Sequence, residues 1–407
     1  MSQAPLQILT VNSGSTSIKF ALYGLGTTER RLLSARCEGI GLAQGRCHVV
    51  DETERTLYDD TFSIADHITA ARRFLDWLGR QSLGFCFDGI GHRIVHGGYR
   101  FVDPVVLAPE VEQEIGALSR LDPEHLVPQL RVVQVLRELS PGIPQVACFD
   151  TAFHRQMPRI AQMLPLPREL WYQGIMRFGA HGLSYQFLLE ELGRQAGDQA
   201  ARGRVVMAHL GGAASMVAVL GGRSVDNTTG FMPNGGLMMG TRSGDVSPAV
   251  LMHLLLNKGL SPIDVNDIVN FQSGLLGVSR VSRDMRELLR ISGTNVQAAE
   301  AVDLFCYIAR KHLGSLAAAL GGIDTLVFSG GIGEHAHLIR KKICEPLGHL
   351  GIHVDASLNR QNGAQISLEG APVDVRVITT NEERVIARAV GPLVRAGASG
   401  ARVRGAG

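Results

Sequence analysis

Asn12, Ser13, Gly14, Ser15, Thr16, Ser17 and Lys19 stand between two apolar runs in LTVNSGSTSIKFALY. Small hydroxyl and glycine residues beside a lysine suit an anion. Glycine adds no side chain and accepts φ > 0, so backbone N–H groups can approach it closely. Two more loops repeat the design. VVMAHLGGAASMVAV sets His209, Leu210, Gly211, Gly212 and Ala213 between apolar runs, and TLVFSGGIGEHA leads from a strand into Gly331, Ile332, Gly333, Glu334 and His335. The resembling strand–loop–strand units at 6–23 and 203–220 point to a duplicated domain gripping one phosphate-rich ligand from both sides.

Isolated charged residues accompany these loops. Arg93 in GHRIVHGG sits at a strand end before a glycine pair, and Arg242 in GTRSGD lies between Gly240 and Gly244. Forked guanidinium donors match carboxylate and phosphate oxygens better than an ammonium does. His181 in AHGLS opens a helix, where the dipole favours anions. Asp150 ends the buried strand VACFD, at a carboxyl end, where α/β clefts form. Each residue also has a plainer reading: an ion pair for Arg93, a surface loop for Arg242, a satisfied core histidine for His181 and a helix cap for Asp150.

The elements that must position them follow from periodicity. Residues 6–23 read as a β-hairpin with Ile18, Phe20 and Leu22 on one face and Ser17 and Lys19 on the other. Helical spacing marks 62–79 and 127–139, and PQVACFD is a buried strand. GFCFDGIGHRIVHGG is a short strand region broken by glycines. The pattern restarts after DTAFHRQMP: helix, hairpin, helix, the long amphipathic QAAEAVDLFCYIARKHLGSLAAAL, strand–glycine turn–helix, and a closing strand and helix. Alternating strands and helices, with a hairpin opening each half, predict α/β domains with mixed sheets. The expected division is 1–152, 153–383 and a solvated, disordered tail at 396–407, with the last helix at 384–395 free to pack on the first half.

Composition excludes several classes. With 45% hydrophobic and 19% charged residues at a formal charge of +2, the chain has neither a nucleic-acid surface nor a membrane patch. It lacks an 18-residue apolar run, and MSQAPLQILTV lacks a signal peptide's basic start, so a cytoplasmic location is expected. Six scattered cysteines without a CxxC pair read as reduced thiols and argue against zinc. No GxxxxGK[ST] motif occurs, and GGIGEH lacks GxGxxG spacing, which excludes Walker and Rossmann sites.

In this order VNSGSTSIKF, GHRIVHGG, CFDTAFHRQMP, GLMMGTRSGDVSPA, GGIGE and TNEE resemble the acetate kinases, within the acetate and sugar kinase, heat-shock cognate and actin superfamily. The resemblance spans 6–392. It implies two duplicated actin-like (ribonuclease H-like) α/β domains with the active site in the interdomain cleft, and a homodimer. It further implies reversible phosphoryl transfer from ATP to acetate with Mg²⁺, or Mn²⁺ in its place. By the same resemblance Arg93 binds the carboxylate, and Arg242 and His181 stabilise the transferring phosphoryl. Asp150 is the catalytic aspartate, and Val95 and Pro233 wall the acyl pocket. Asn12 and Glu382 hold the metal, with Glu383 the adjacent alternative. Lys19, residues 209–213, Gly331–His335 and Asp284, Met285 and Arg286 contact the nucleotide; a solvated helix face is the plainer reading of the last three. Because acetate is already ionised at neutral pH, the task is to bring two anions together, not to remove a proton.

Four stretches depart from the family pattern. HLGNGAS reads HLGGAAS, which replaces an asparagine by Gly212 and removes a polar phosphate contact. FHGTSH reads AHGLSY, with Ala180 for a phenylalanine that walls the acetate methyl pocket and Tyr185 for a histidine. APLHNP reads SRLDPE, and TPLEGL reads MPNGGL. A wider pocket predicts that propionate or butyrate is also accepted. A kinase preferring such acids, and a nucleotide-binding regulator without turnover, are the competing readings.

Overall fold

The computed structural model describes residues 5–14, 16–81, 86–120 and 122–404, with side chains to 397. Ser15 of the first loop, Leu121 of SRLDPE and residues 405–407 of the tail lie outside the described residues. The chain forms two compact units. One is Met1–Ala152 with Asn381–Gly407, the other Phe153–Thr380.

The first unit carries an eight-stranded sheet in the order β5-β4-β3-β2-β1-β6-β8-β7. Its strands are β1 (Leu6–Ser13), β2 (Ser17–Leu25), β3 (Glu29–Glu38), β4 (Gly45–Asp51), β5 (Thr56–Phe62), β6 (Gly89–Ile94), β7 (Val105–Val106) and β8 (Gln145–Phe149). The second unit carries β9 (Val205–Leu210), β10 (Ala214–Leu220), β11 (Arg223–Asn227), β12 (Thr325–Ser329) and β13 (Asp374–Val377), in the order β11-β10-β9-β12-β13. In both sheets an antiparallel three-strand meander is followed by two parallel strands: β3-β2-β1-β6-β8 repeats as β11-β10-β9-β12-β13. The expected mixed α/β duplication is present.

The predicted alternation in β2 is realised. Ile18, Phe20 and Leu22 are fully buried, and Phe20 stacks on Phe74 of the helix His67–Gly79 with centroids 4.3 Å apart. Asp66 caps that helix by accepting from the Thr69 N–H at 2.7 Å. β9 and β12, paired in parallel, are almost continuously buried, as central parallel strands must be.

The last helix, Glu382–Arg404, belongs to the first unit and lies on β6. The glycines that interrupt β6 are explained by this packing. A Cβ at Gly91 would fall 2.4 Å from Ile386 Cγ2, and one at Gly89 would fall 2.5 Å from Val394 Cγ2. The backbone is helical through 396–404, within the expected tail. One expectation is corrected. Cys37 and Cys47 form a disulfide and are not free thiols. They face each other in register on antiparallel β3 and β4, with Cα atoms 4.1 Å apart. Cys148, Cys306 and Cys344 are buried thiols whose pKa burial pushes up to about 12.

Candidate active site

In the first unit the site residues gather at the carboxyl ends of three adjacent parallel strands. Asn12 is near the end of β1, Arg93 near the end of β6, and Asp150 directly follows β8. Arg93 donates from Nε (2.9 Å) and Nη2 (2.6 Å) to Asp150 Oδ2, and from Nη1 to Asn12 Oδ1 (3.2 Å). Described residues thus engage three of its five N–H donors. Asn12 Nδ2 donates to Glu382 Oε2 at 2.6 Å and to Glu383 Oε1 at 3.1 Å. Lys19, opposite Asn12 in the hairpin register, has Nζ 3.9 Å from Glu383 Oε1. Burial works against the Arg93 charge, but the Asp150, Glu382 and Glu383 carboxylates outweigh it and hold its pKa above the ordinary value. Asp150 has no exposure at all, so this ion pair is a buried one.

Val95, two residues past Arg93, is 5% exposed, and its N–H donates to Gln129 Oε1 at 3.1 Å. Gln129 Nε2 in turn donates to the Ser13 carbonyl at 3.2 Å. Gln129 therefore ties the first glycine loop to the strand end that carries Arg93. Nothing in the sequence marks it, because it is one polar residue on a helix otherwise read as amphipathic.

In the second unit the glycine loops meet through their backbones. β9 and β12 end side by side, with His209 paired to Ser329. Gly330 has φ +75°, and a Cβ there would meet the Leu210 carbonyl oxygen at 2.7 Å, so only glycine lets the two loops meet. The Gly240 N–H donates to the Gly212 carbonyl at 3.0 Å, which ties the Arg242 turn to the same loop. Arg242 Nη1 donates to the Pro233 carbonyl at 3.2 Å.

His181 takes left-handed backbone angles (φ 57°) as the N-cap of the helix Gly182–Ala196, a strained conformation for a residue with a side chain. Its ring stacks on His209 with centroids 4.5 Å apart, and its Nδ1 lies 2.8 Å from Ser215 Oγ. His154 braces the turn: its Nε2 is 2.9 Å from the Ala180 carbonyl and its Nδ1 is 3.0 Å from Ser224 Oγ. Burial pushes the His154 pKa down to about 4, so it is neutral.

Several predicted nucleotide contacts have local partners. Glu334 is buried, and its Oε1 accepts from the Gly330 N–H (2.9 Å) and the Thr380 N–H (3.2 Å), which braces the turn. Gly331 and Gly212 are open, since a Cβ at either meets nothing within 4 Å. The His335 side chain is 74% exposed. Asp284 caps a helix through the Arg286 N–H (2.8 Å) and pairs with the exposed Arg286 side chain, whereas Met285 turns into the core. Arg340, absent from the sequence reading, is fully buried and donates to the Gly333 and Glu334 carbonyls at 2.7 and 2.9 Å. It clamps the loop from below. In sequence it is only the first member of a basic run, RKK.

The family model described as the acetokinase family matches residues 7–388. The chain belongs to the acetokinase family. It is 44% identical to an acetate kinase of Rhodopseudomonas palustris over 398 residues, covering 96% of this chain and 99% of that one. It is 39% identical to a propionate kinase of Escherichia fergusonii, covering 94% and 96%. Among solved structures, the crystal structure of Porphyromonas gingivalis acetate kinase superposes with a TM-score of 0.83 at 34% identity, covering 94% and 98%. The mixed-sheet duplication is thus that of the acetokinase fold.

Set against the acetokinase HLGNGAS pattern, the open space at Gly212 has a direct consequence. Its φ is not in the left-handed region and its Cβ would be unobstructed, so an asparagine fits there without strain. Gly212→Asn is expected to leave the melting temperature unchanged and to lower the KM for ATP about tenfold, the worth of one hydrogen bond to a charged phosphate. Steady-state kinetics beside thermal denaturation check this; an unchanged KM would mean that the loop binds through backbone alone.

Proposed function

We propose that this protein transfers the γ-phosphoryl group of ATP to acetate, reversibly and with Mg²⁺, giving acetyl phosphate and ADP. Support comes first from the Arg93 geometry: a buried guanidinium oriented by Asp150 with N–H donors to spare for a carboxylate. An acetate oxygen forms the new bond to the γ-phosphorus, and the bond from that phosphorus to the bridging oxygen of ADP breaks. No proton moves, because the acceptor is already a carboxylate. Arg93 orients the acceptor. Arg242 places positive charge, and His181 an N–H donor, where charge spreads over the phosphoryl oxygens. Lys19 and the loops at 209–213 and 331–335 hold the nucleotide, whose cellular pool places the reaction in the cytoplasm.

The residues present suit a magnesium ion. The carboxylates of Asp150, Glu382 and Glu383 outnumber the Arg93 and Lys19 cations beside them, which leaves a negative excess. Mg²⁺ is bound by few protein oxygens and keeps much of its water. Glu382 and the Asn12 carbonyl oxygen would hold it, and the ion would neutralise phosphate charge.

Ala180 favours a broader acceptor range. It replaces the phenylalanine that narrows the methyl pocket in the family pattern. Hydroxamate trapping with acetate, propionate and butyrate, with and without Mg²⁺, tests both parts. Acyl phosphate is expected only with Mg²⁺, with kcat/KM for propionate within about fourfold of that for acetate, the worth of one buried CH₂. Absence of acyl phosphate overturns the activity, and a steep preference for acetate overturns the wider pocket.

A further inference from the structure

Tyr185 stands where the family pattern has histidine, and it joins a hydrogen-bonded chain that ends on His181. Four residues apart at the start of one helix, the two side chains share a face, and the Tyr185 N–H also donates to the His181 carbonyl at 3.0 Å. Both reach across to one hydroxyl on β10. Ser215 Oγ is 2.5 Å from Tyr185 Oη and 2.8 Å from His181 Nδ1. Tyr185 and Ser215 are buried, and the tyrosine ring is held edge-on against His154 at 5.8 Å. The neighbouring imidazole is arranged alike. His209 Nδ1 is 2.9 Å from Ser184 Oγ, which lies 2.8 Å from Thr380 Oγ1.

We propose that Tyr185 is a positioning residue: acting through Ser215, it holds His181 as the neutral tautomer that carries its proton on Nε2. A serine hydroxyl has one proton to give. When the tyrosine O–H donates to Ser215 Oγ, the serine O–H donates to His181 Nδ1, and the imidazole proton must sit on Nε2. The ring then presents an N–H donor to a phosphoryl oxygen on the side away from Ser215. Stacking on His209 adds to this, because two cationic rings in contact repel each other. Neutral donors in both rings avoid that cost. The second partner of an imidazole sets which nitrogen carries the proton, and loss of that partner costs rate without loss of binding.

The inference rests on the reading of His181 as a phosphoryl-stabilising group. The experiment therefore runs Tyr185→Phe beside His181→Ala, with Ser215→Ala as a second break in the chain. Phenylalanine keeps the ring and removes only the hydroxyl, and thermal denaturation verifies that the fold is retained. In the parent protein, ¹⁵N spectra of the imidazoles are expected to show His181 protonated at Nε2. In Tyr185→Phe the two tautomers should mix, kcat should fall by about 10- to 100-fold, and KM for ATP and acetate should hold within about twofold, the pattern of a misoriented group. An unchanged His181 signal or an unchanged kcat in Tyr185→Phe overturns the proposal. If His181→Ala retains full activity, it is the underlying reading of His181 that fails.

Discussion

Replacing Arg242 by alanine is expected to lower kcat about a thousandfold while KM for ATP stays within about threefold, the size of effect seen when a transition-state cation is removed from phosphoryl transfer. The turn that carries Arg242 is rigid by construction. The Met239 N–H donates to the Arg242 carbonyl, the Ser273 N–H to the Thr241 carbonyl and the Ser243 N–H to the Val269 carbonyl. Gly274 packs so tightly beneath this turn that a Cβ would fall 2.2 Å from the Met239 carbonyl oxygen. A fixed backbone means that truncating the side chain removes charge without moving the loop, so ground-state nucleotide binding is expected to survive. Arg242→Lys is expected to recover little, because a point charge cannot reproduce a planar fork across two phosphoryl oxygens. A loss of less than tenfold in kcat for Arg242→Ala would remove this residue from the catalytic step.

The pieces of the site that could be read from sequence share one property: their signal is local. Glycine clusters following apolar runs marked the loops at 12–17, 209–213 and 330–335, and alternation in β2 put Lys19 on the open face of the hairpin. Some supports of the site were not legible, because the partner is brought in from far along the chain. Gln129 reaches Ser13 from 116 residues away, and Ser215 on β10 meets His181 from 34 residues away. Arg340 is buried through contacts with Asn359 and Asn362, so its charge in the sequence suggested a surface residue. Met285 lies in a stretch that reads as a nucleotide contact, and its side chain opens a short helix whose apolar face, with Leu288, completes the core. Cys37 and Cys47 pair only because the register of β3 and β4 sets them opposite each other.

Arg93 and Asp150 make the sharper test, since they bind each other. Arg93→Ala removes the guanidinium that donates twice to the fully buried Asp150 carboxylate, and breaking a buried pair this way costs about 3–5 kcal/mol. Asp150 can relieve that cost by taking up a proton, so the variant should be least destabilised at low pH. Removing both partners is different. The double variant Arg93→Ala/Asp150→Ala leaves neither an unpaired charge nor an unsatisfied fork, and it is expected to be more stable than Arg93→Ala alone, by about 1–3 kcal/mol in chemical denaturation. Activity should not follow stability. Both variants are expected to lose at least about a hundredfold in kcat/KM for acetate, because the carboxylate has lost its oriented donor. If the double variant proved no more stable than the single one, the pair would be a structural tie of ordinary strength. If it regained activity along with stability, Arg93 would be bracing the fold and not holding the acceptor. Recovered folding with activity still lost is the outcome that assigns the pair to the reaction.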